Sequence, residues 1–280
     1  MDQPRRVGIY GLGLIGGSLA KAIKSYLPGI SLYGYDLVRG RVNMALEEGV
    51  ISAPLKGKLV GDMEVIFLAL PVTKSLQAAP RLIRRMAPDA VLTDCGSTKV
   101  SLCRKMEEFS DGPFFVGGHP IAGTEKAGYE NGFPELFRER VVFLTPQGNT
   151  PGKAWRKVKN LWKGVGAKVI KVDAGYHDHV FAFVSHLPHA VAYSLVHSVA
   201  TFDSKLPLGY SAGGFKDFTR IASSDPTMWA EIMVENREEV LRALEHYGKS
   251  VSLLSKLVRE GDVSGMKRFF RISKKKRDSI

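Results

Sequence analysis

Apolar positions in the first 172 residues come in short runs separated by stretches of helical period. Val7–Tyr10 reads as a strand, and Leu19, Ala22, Ile23 and Leu27 follow it at helical spacing. The segment ISLYGYD, closing on Asp36, reads as a second strand. Glu64–Pro71 is a continuous apolar run, as a strand buried on both faces requires. Ala90–Ser97, Phe114–Pro120, Val141–Pro146 and Ala167–Asp173 read as later strands, with helical stretches between most of them. This alternation predicts a doubly wound α/β unit. After Asp173 the pattern changes. Gly175–Phe202 is too long for a strand and apolar nearly all round, which predicts a buried helix kinked or split at Pro188. Asp225 and Pro226 fit an N-cap and first helical position. From there to about Arg259, the residues Val240, Leu241, Leu244, Tyr247, Val251, Leu254 and Leu257 recur at threes and fours. Two units are expected: an α/β, Rossmann-type unit over 1–172 and an all-helical unit over 173–280. The helical stripes suit either a core of their own or a second copy of the chain.

Composition narrows the setting. The chain has 280 residues, 44% hydrophobic and 24% charged, enough to bury a substantial core. No apolar run approaches the length of a membrane span, and the N-terminus enters a strand directly, so neither a membrane anchor nor a signal peptide is expected. Two cysteines, Cys95 and Cys103, are too few for a disulfide framework, and a reduced cytoplasmic setting is the simplest one. The formal charge of +12 is concentrated in part in Lys267–Arg277, which reads as a solvated face or frayed tail rather than a nucleic-acid site.

The candidate chemistry begins at Gly11-Leu12-Gly13-Leu14-Ile15-Gly16. A strand before this G-x-G-x-x-G, a helix after it and Asp36 twenty residues beyond Gly16 mark a dinucleotide site. Gly11 permits the tight turn, Gly13 the approach of a pyrophosphate, and Gly16 close helix–strand packing. The helix N-terminus offers free N–H groups to the phosphates. A carboxylate at Asp36 would accept ribose hydroxyls and repel a 2′-phosphate, favouring NAD, with Arg39 and Arg41 as nearby counterweights. Ligands of open parallel sheets sit outside the carboxyl ends of the strands. Asp36, Pro71, Ser97 and His119 each fall at such an end, which turns His119 from a residue of a glycine-rich turn into a site candidate. In the helical half, Lys216 and Arg220 share a face at i, i+4 and invite an anion between them, while Phe215 and Phe218 point to the core. His186 and His189 have a spacing that could suit a metal, but no third ligand stands in motif context, and no metal is expected. Trp229 reads first as core packing.

The stretches GLGLIGGSLA, DCGSTK, GGHPIAGTEKAG, SHLPHAVA and GGFKDFTRIASSDPTMW together resemble the prephenate (cyclohexadienyl) dehydrogenases of tyrosine synthesis. The resemblance implies NAD-dependent oxidative decarboxylation of prephenate to 4-hydroxyphenylpyruvate, with arogenate as the alternative substrate. It implies His119 as the base for the ring hydroxyl, beside Ser97, and Arg220 on the ring carboxylate. His189, Glu125, His177, Lys216 and Trp229 complete the implied substrate set, and Glu125 with Asp217 would hold the amino group of arogenate. Gly11, Gly13, Leu14, Ile15, Gly16, Asp36, Leu70, Pro71 and Ser97 are the implied cofactor set. The apolar helical stripes beside a dinucleotide unit favour a homodimer, and tyrosine, with a product-like phenol that could occupy the site, is a candidate feedback inhibitor. Two rivals stand beside it. A β-hydroxy-acid dehydrogenase would rely on a lysine at the start of the helical unit, where Tyr176, His177, Asp178 and His179 stand instead. A nucleic-acid-binding regulator would use the basic tail.

Overall fold

The computed structural model describes residues 3–109, 111–124, 126–202 and 210–279. Eight strands form one sheet in the order β3-β2-β1-β4-β5-β6-β7-β8. They are β1 Arg6–Tyr10, β2 Ser31–Tyr35, β3 Ala53–Pro54, β4 Val65–Leu68, β5 Val91–Asp94, β6 Phe114–Pro120, β7 Val141–Pro146 and β8 Lys168–Lys171. The helices α1 Leu14–Tyr26, α2 Arg39–Glu47, α3 Val72–Ile83, α4 Val100–Met106 and α5 Gly152–Gly164 accompany it. β4 and β5 are buried along their whole length, as continuous apolar runs must be, and two apolar clusters are built around the sheet. Strands β1 to β6 pair in parallel, whereas β7 runs antiparallel to β6. Among the described residues no α-helix lies between β6 and β7, so the chain can turn back on itself there.

β6 spans Phe114–Pro120, as expected from the sequence, and runs through Gly117 and Gly118 with His119 paired to Phe143. The glycines are needed for space. A Cβ on Gly117 would lie 2.2 Å from Thr145 Oγ1, and one on Gly118 would lie 2.4 Å from the Asp94 carbonyl.

The helical half holds α6 Ala174–Phe181, α7 Leu187–Phe202, α8 Gly213–Thr219, α9 Pro226–Glu235, α10 Arg237–Arg259 and α11 Val263–Arg277. Between α6 and α7, residues Ala182–His186 form a π-helical turn. Pro188 has no N–H to return to the preceding turn, and the wider spacing absorbs that loss. Three expectations change. The 175–202 segment is not buried throughout: among α7 residues only Ala192 is, and the rest are half-buried or exposed. Phe218 is half-exposed rather than core, because α8 is a short surface helix. The long helix is broken at Asn236, whereas the basic run Lys267–Arg277 is a solvated face as expected, part of helix α11 capped by Asp262. The Asp225 cap is present, accepting from Met228 N–H.

Candidate active site

The glycine turn lies between β1 and α1. Gly11 has φ +107°, and a Cβ there would meet the Ala69 carbonyl at 2.3 Å. A Cβ on Gly16 would strike Gly11 O at 1.8 Å. Gly13, the N-cap of α1, has nothing within 4 Å of its Cβ position and leaves open space before the helix N-terminus. Leu14 and Ile15 open α1 and pack partly against the core, and Leu70 packs on the Gly11 turn. Pro71 is exposed as the N-cap of α3. Asp36 Oδ2 accepts from Leu12 N–H at 2.7 Å, and Oδ1 from Val38 N–H at 2.8 Å, with Arg41 at 3.5 Å. A cleft of about 830 Å³, lined by Asp36, Leu37, Arg39, Pro54 and Lys56 among others, opens beside it. An open cradle at a helix N-terminus and an anchored carboxylate in a cleft fit a dinucleotide.

His119 stands at the carboxyl edge of the same sheet. Its Nδ1 lies 2.9 Å from His177 Nε2, and His177 Nδ1 lies 2.8 Å from Asp178 Oδ1. Asp178 also accepts from the backbone N–H groups of Lys99 and Val100, at 2.8 and 2.9 Å. These bonds set the proton positions. A carboxylate only accepts, so His177 carries its proton on Nδ1 and offers a lone pair at Nε2. His119 then donates from Nδ1, which leaves its Nε2 as a free acceptor. Burial, followed by electrostatic interaction with His177, Lys99 and His186, holds His119 well below the ordinary histidine range, so this acceptor form is the stable one. His177 is also lowered, mainly by burial. Because both nitrogens of the buried His177 are engaged within the protein, the residue stands behind His119 rather than at a ligand. Ser97 is half-buried in the loop joining β5 to α4.

A second cleft, of about 980 Å³, is lined by Gly123, Thr124, Lys126, Asn131, Phe133, His189, Arg220, Ser224, Met228 and Trp229. It brings together Arg220, His189 and Trp229 from separate elements. His189 stacks on Trp229 with ring centroids 3.5 Å apart and donates from Nδ1 to the Ser185 carbonyl. The buried indole N–H of Trp229 has no hydrogen-bond partner. The cleft and the histidine chain are joined through Asn236, which donates to the Asp178 carbonyl at 2.8 Å and contacts His186, whose ring lies against Trp229. Lys216 is exposed on α8 outside the cleft lining, whereas Arg220, the C-cap of α8 and first residue of a 3₁₀ turn, lies within it. Glu125 lies outside the described residues. Sequence reasoning missed Asp178, Asn236 and Lys126. Lys126 stands inside GGHPIAGTEKAG, and Asp178 beside His177, so the signal was adjacency alone.

A dinucleotide cradle with a proton-accepting histidine on the same sheet edge is the equipment of a nicotinamide-dependent dehydrogenase. Comparison with known proteins narrows the class. The family model for the prephenate dehydrogenase nucleotide-binding domain matches residues 19–171, and that for the prephenate dehydrogenase dimerization domain matches 173–272. The chain is 35% identical to a cyclohexadienyl dehydrogenase of Zymomonas mobilis, over 98% of this chain and 95% of the relative. It is 35% identical to a prephenate dehydrogenase of Bacillus subtilis, over 96% and 74%. The crystal structure of the Aquifex aeolicus prephenate dehydrogenase with hydroxyphenyl propionate and NAD+ superposes with a TM-score of 0.90 at 37% identity, covering 99% of this chain and 98% of that one. The chain belongs to the prephenate dehydrogenase family.

Proposed function

We propose that this NAD-dependent oxidoreductase converts prephenate to 4-hydroxyphenylpyruvate and carbon dioxide, in the synthesis of tyrosine. The observation that carries the reading is the hydrogen-bond chain from Asp178 through His177 to His119, which leaves one imidazole nitrogen as a base. NAD, when bound, supplies the hydride acceptor. Gly11, Gly13, Leu14, Ile15 and Gly16 would hold its pyrophosphate, Asp36 its ribose, and Leu70, Pro71 and Ser97 its remaining contacts. His119 takes the proton of the ring hydroxyl at Nε2. As that proton leaves, the ring carbon becomes ready to lose hydride, and loss of carbon dioxide makes the ring aromatic. Ser97 steadies the hydroxyl beside His119. Arg220 grips a substrate carboxylate through its paired N–H groups, with His189, Lys126 and Trp229 lining the same cleft.

Arogenate is the second reading, favoured by likeness to a cyclohexadienyl dehydrogenase. Tyrosine, which shares the product's phenol, would compete for the cleft. We further propose a cytoplasmic homodimer. Leu241, Tyr247, Val251 and Val258 on α10 are exposed in the single chain and offer a face to a second copy. Among the described residues no helix is long and apolar enough to cross a membrane. The test is NADH or NADPH formation from prephenate and from arogenate, each with NAD and with NADP. Turnover of prephenate with NAD supports the reading, preference for arogenate moves it to the second reading, and silence in all four overturns it. In the same assay His119→Asn is expected to lose about a hundredfold or more in kcat while NAD affinity, read by fluorescence titration, is kept.

A further inference from the structure

Lys99 is fully buried, and the reaction as described above does not use its side chain. An ammonium taken out of water is costly unless it is paired and hydrogen-bonded, and even a paired one stabilises a fold little better than apolar side chains would. Its presence therefore calls for a role other than packing. The ammonium pairs with Asp94 and donates to the Gly118 carbonyl at 2.7 Å. That carbonyl belongs to the peptide bond leading into His119. Asp94 Oδ1 accepts from the N–H of the same Gly118 at 2.9 Å. Pairing of β5 with β6 ends at Thr93 and Val116. Beyond that point the side chains of Asp94 and Lys99 take over from the ladder on the β5 side of β6. The backbone of Lys99 reaches the base by another route, since its N–H donates to Asp178, which holds His177 against His119. Gly117 admits the lysine stem: a Cβ there would lie 3.3 Å from Lys99 Cδ.

We propose that Lys99 is a positioning residue for the reaction, its ammonium fixing the Gly118–His119 peptide and keeping a positive charge behind the imidazole so that His119 remains in its proton-accepting form. The proposal rests on the reading of His119 as the base. The charged and titratable groups around His119 are His177 and Asp178 from α6, His186 from the π-helical turn, and Asp94 and Lys99 from the β5–α4 junction; Phe143 and Phe181 supply apolar walls. Among them Lys99 is the fixed cation. It acts in the same direction as burial on both His119 and His177.

Two variants test this. Asp94→Asn/Lys99→Met removes the pair without leaving an unpaired charge, and Lys99→Gln keeps a donor for the Gly118 carbonyl while removing the charge. Each is assayed for the pH profile of kcat/KM with prephenate and NAD, for NAD affinity by fluorescence titration, and for folding by circular dichroism. In the double variant kcat is expected to fall roughly tenfold to a hundredfold, and the acid limb to move to higher pH by about one unit, with NAD affinity unchanged. Lys99→Gln is expected to recover part of kcat and keep the displaced limb. A folded variant of either kind with the wild-type acid limb and wild-type kcat overturns the proposal, provided that His119→Asn is inactive. Normal turnover by His119→Asn overturns the base assignment itself, which is a different failure.

Discussion

Arg220 carries both charge and shape into the substrate cleft, and the two can be separated by substitution. A lysine there keeps the cation but loses the planar fork that meets a carboxylate with two parallel bonds. Arg220→Lys is expected to lower kcat/KM for prephenate by roughly tenfold to a hundredfold, chiefly through KM, as steady-state kinetics would read. The base makes a prediction in pH. His119 is held well below the ordinary value of 6.5, first by burial and then by the electrostatic influence of His177, Lys99 and His186. It stays an acceptor until the pH falls to that lowered value. The acid limb of kcat/KM is therefore expected below pH 6.5, and a limb at or above 6.5 would contradict the environment of His119. His119, Arg220 and His189 were legible in the sequence because they stand in distinctive motifs. Asp178 was not. Its role depends on a fold that carries α6 to the N-terminus of α4, where one carboxylate accepts two backbone N–H groups and orients a histidine.

At the scale of elements, two glycines separate folding from binding. Gly13 faces open space in a backbone conformation that alanine tolerates. Gly13→Ala is expected to leave the melting temperature within the range of ordinary surface changes and to weaken NAD binding, because its methyl group enters the space left for the pyrophosphate. Gly118 faces the Asp94 carbonyl at 2.4 Å from a built Cβ, and a backbone atom yields little. Gly118→Ala is expected to cost about 1–3 kcal/mol of stability, measured by urea unfolding. The eight-strand sheet was legible in large part, since buried parallel strands leave continuous apolar runs such as Val65–Leu68. The part played by Gly117 and Gly118 within β6 was not, because glycines that end a strand and glycines that admit a neighbouring backbone look alike in one dimension. Nor was the reversal of β7, whose apolar pattern is independent of strand direction. The break at Asn236 escaped for a related reason. The residue keeps the helical period on either side while its amide turns inward to Asp178 and His186.

The whole molecule keeps several histidines buried and neutral, and its stability should depend on pH accordingly. His186 is lowered from 6.5 to about 4, mainly by burial. The unfolded chain takes this proton as the pH drops below about 6.5, whereas the folded chain refuses it until about 4. Stability present above pH 6.5 is thus lost as the pH falls toward 4, by roughly 3 kcal/mol from this residue. His177 and His119 act in the same direction. Urea midpoints compared above and within this window would check the sign. A separate consequence follows from where the base is assembled. His119 belongs to the sheet, while His177 and Asp178 belong to the helical half, so the catalytic tautomer exists only while a seam between two parts of the chain stays shut. Gentle heating that opens the seam would silence the enzyme while its helices and strands still give their full ellipticity, and brief cooling would restore it. Thermal inactivation is then expected to precede thermal melting, as a fuse fails before the circuit that it guards.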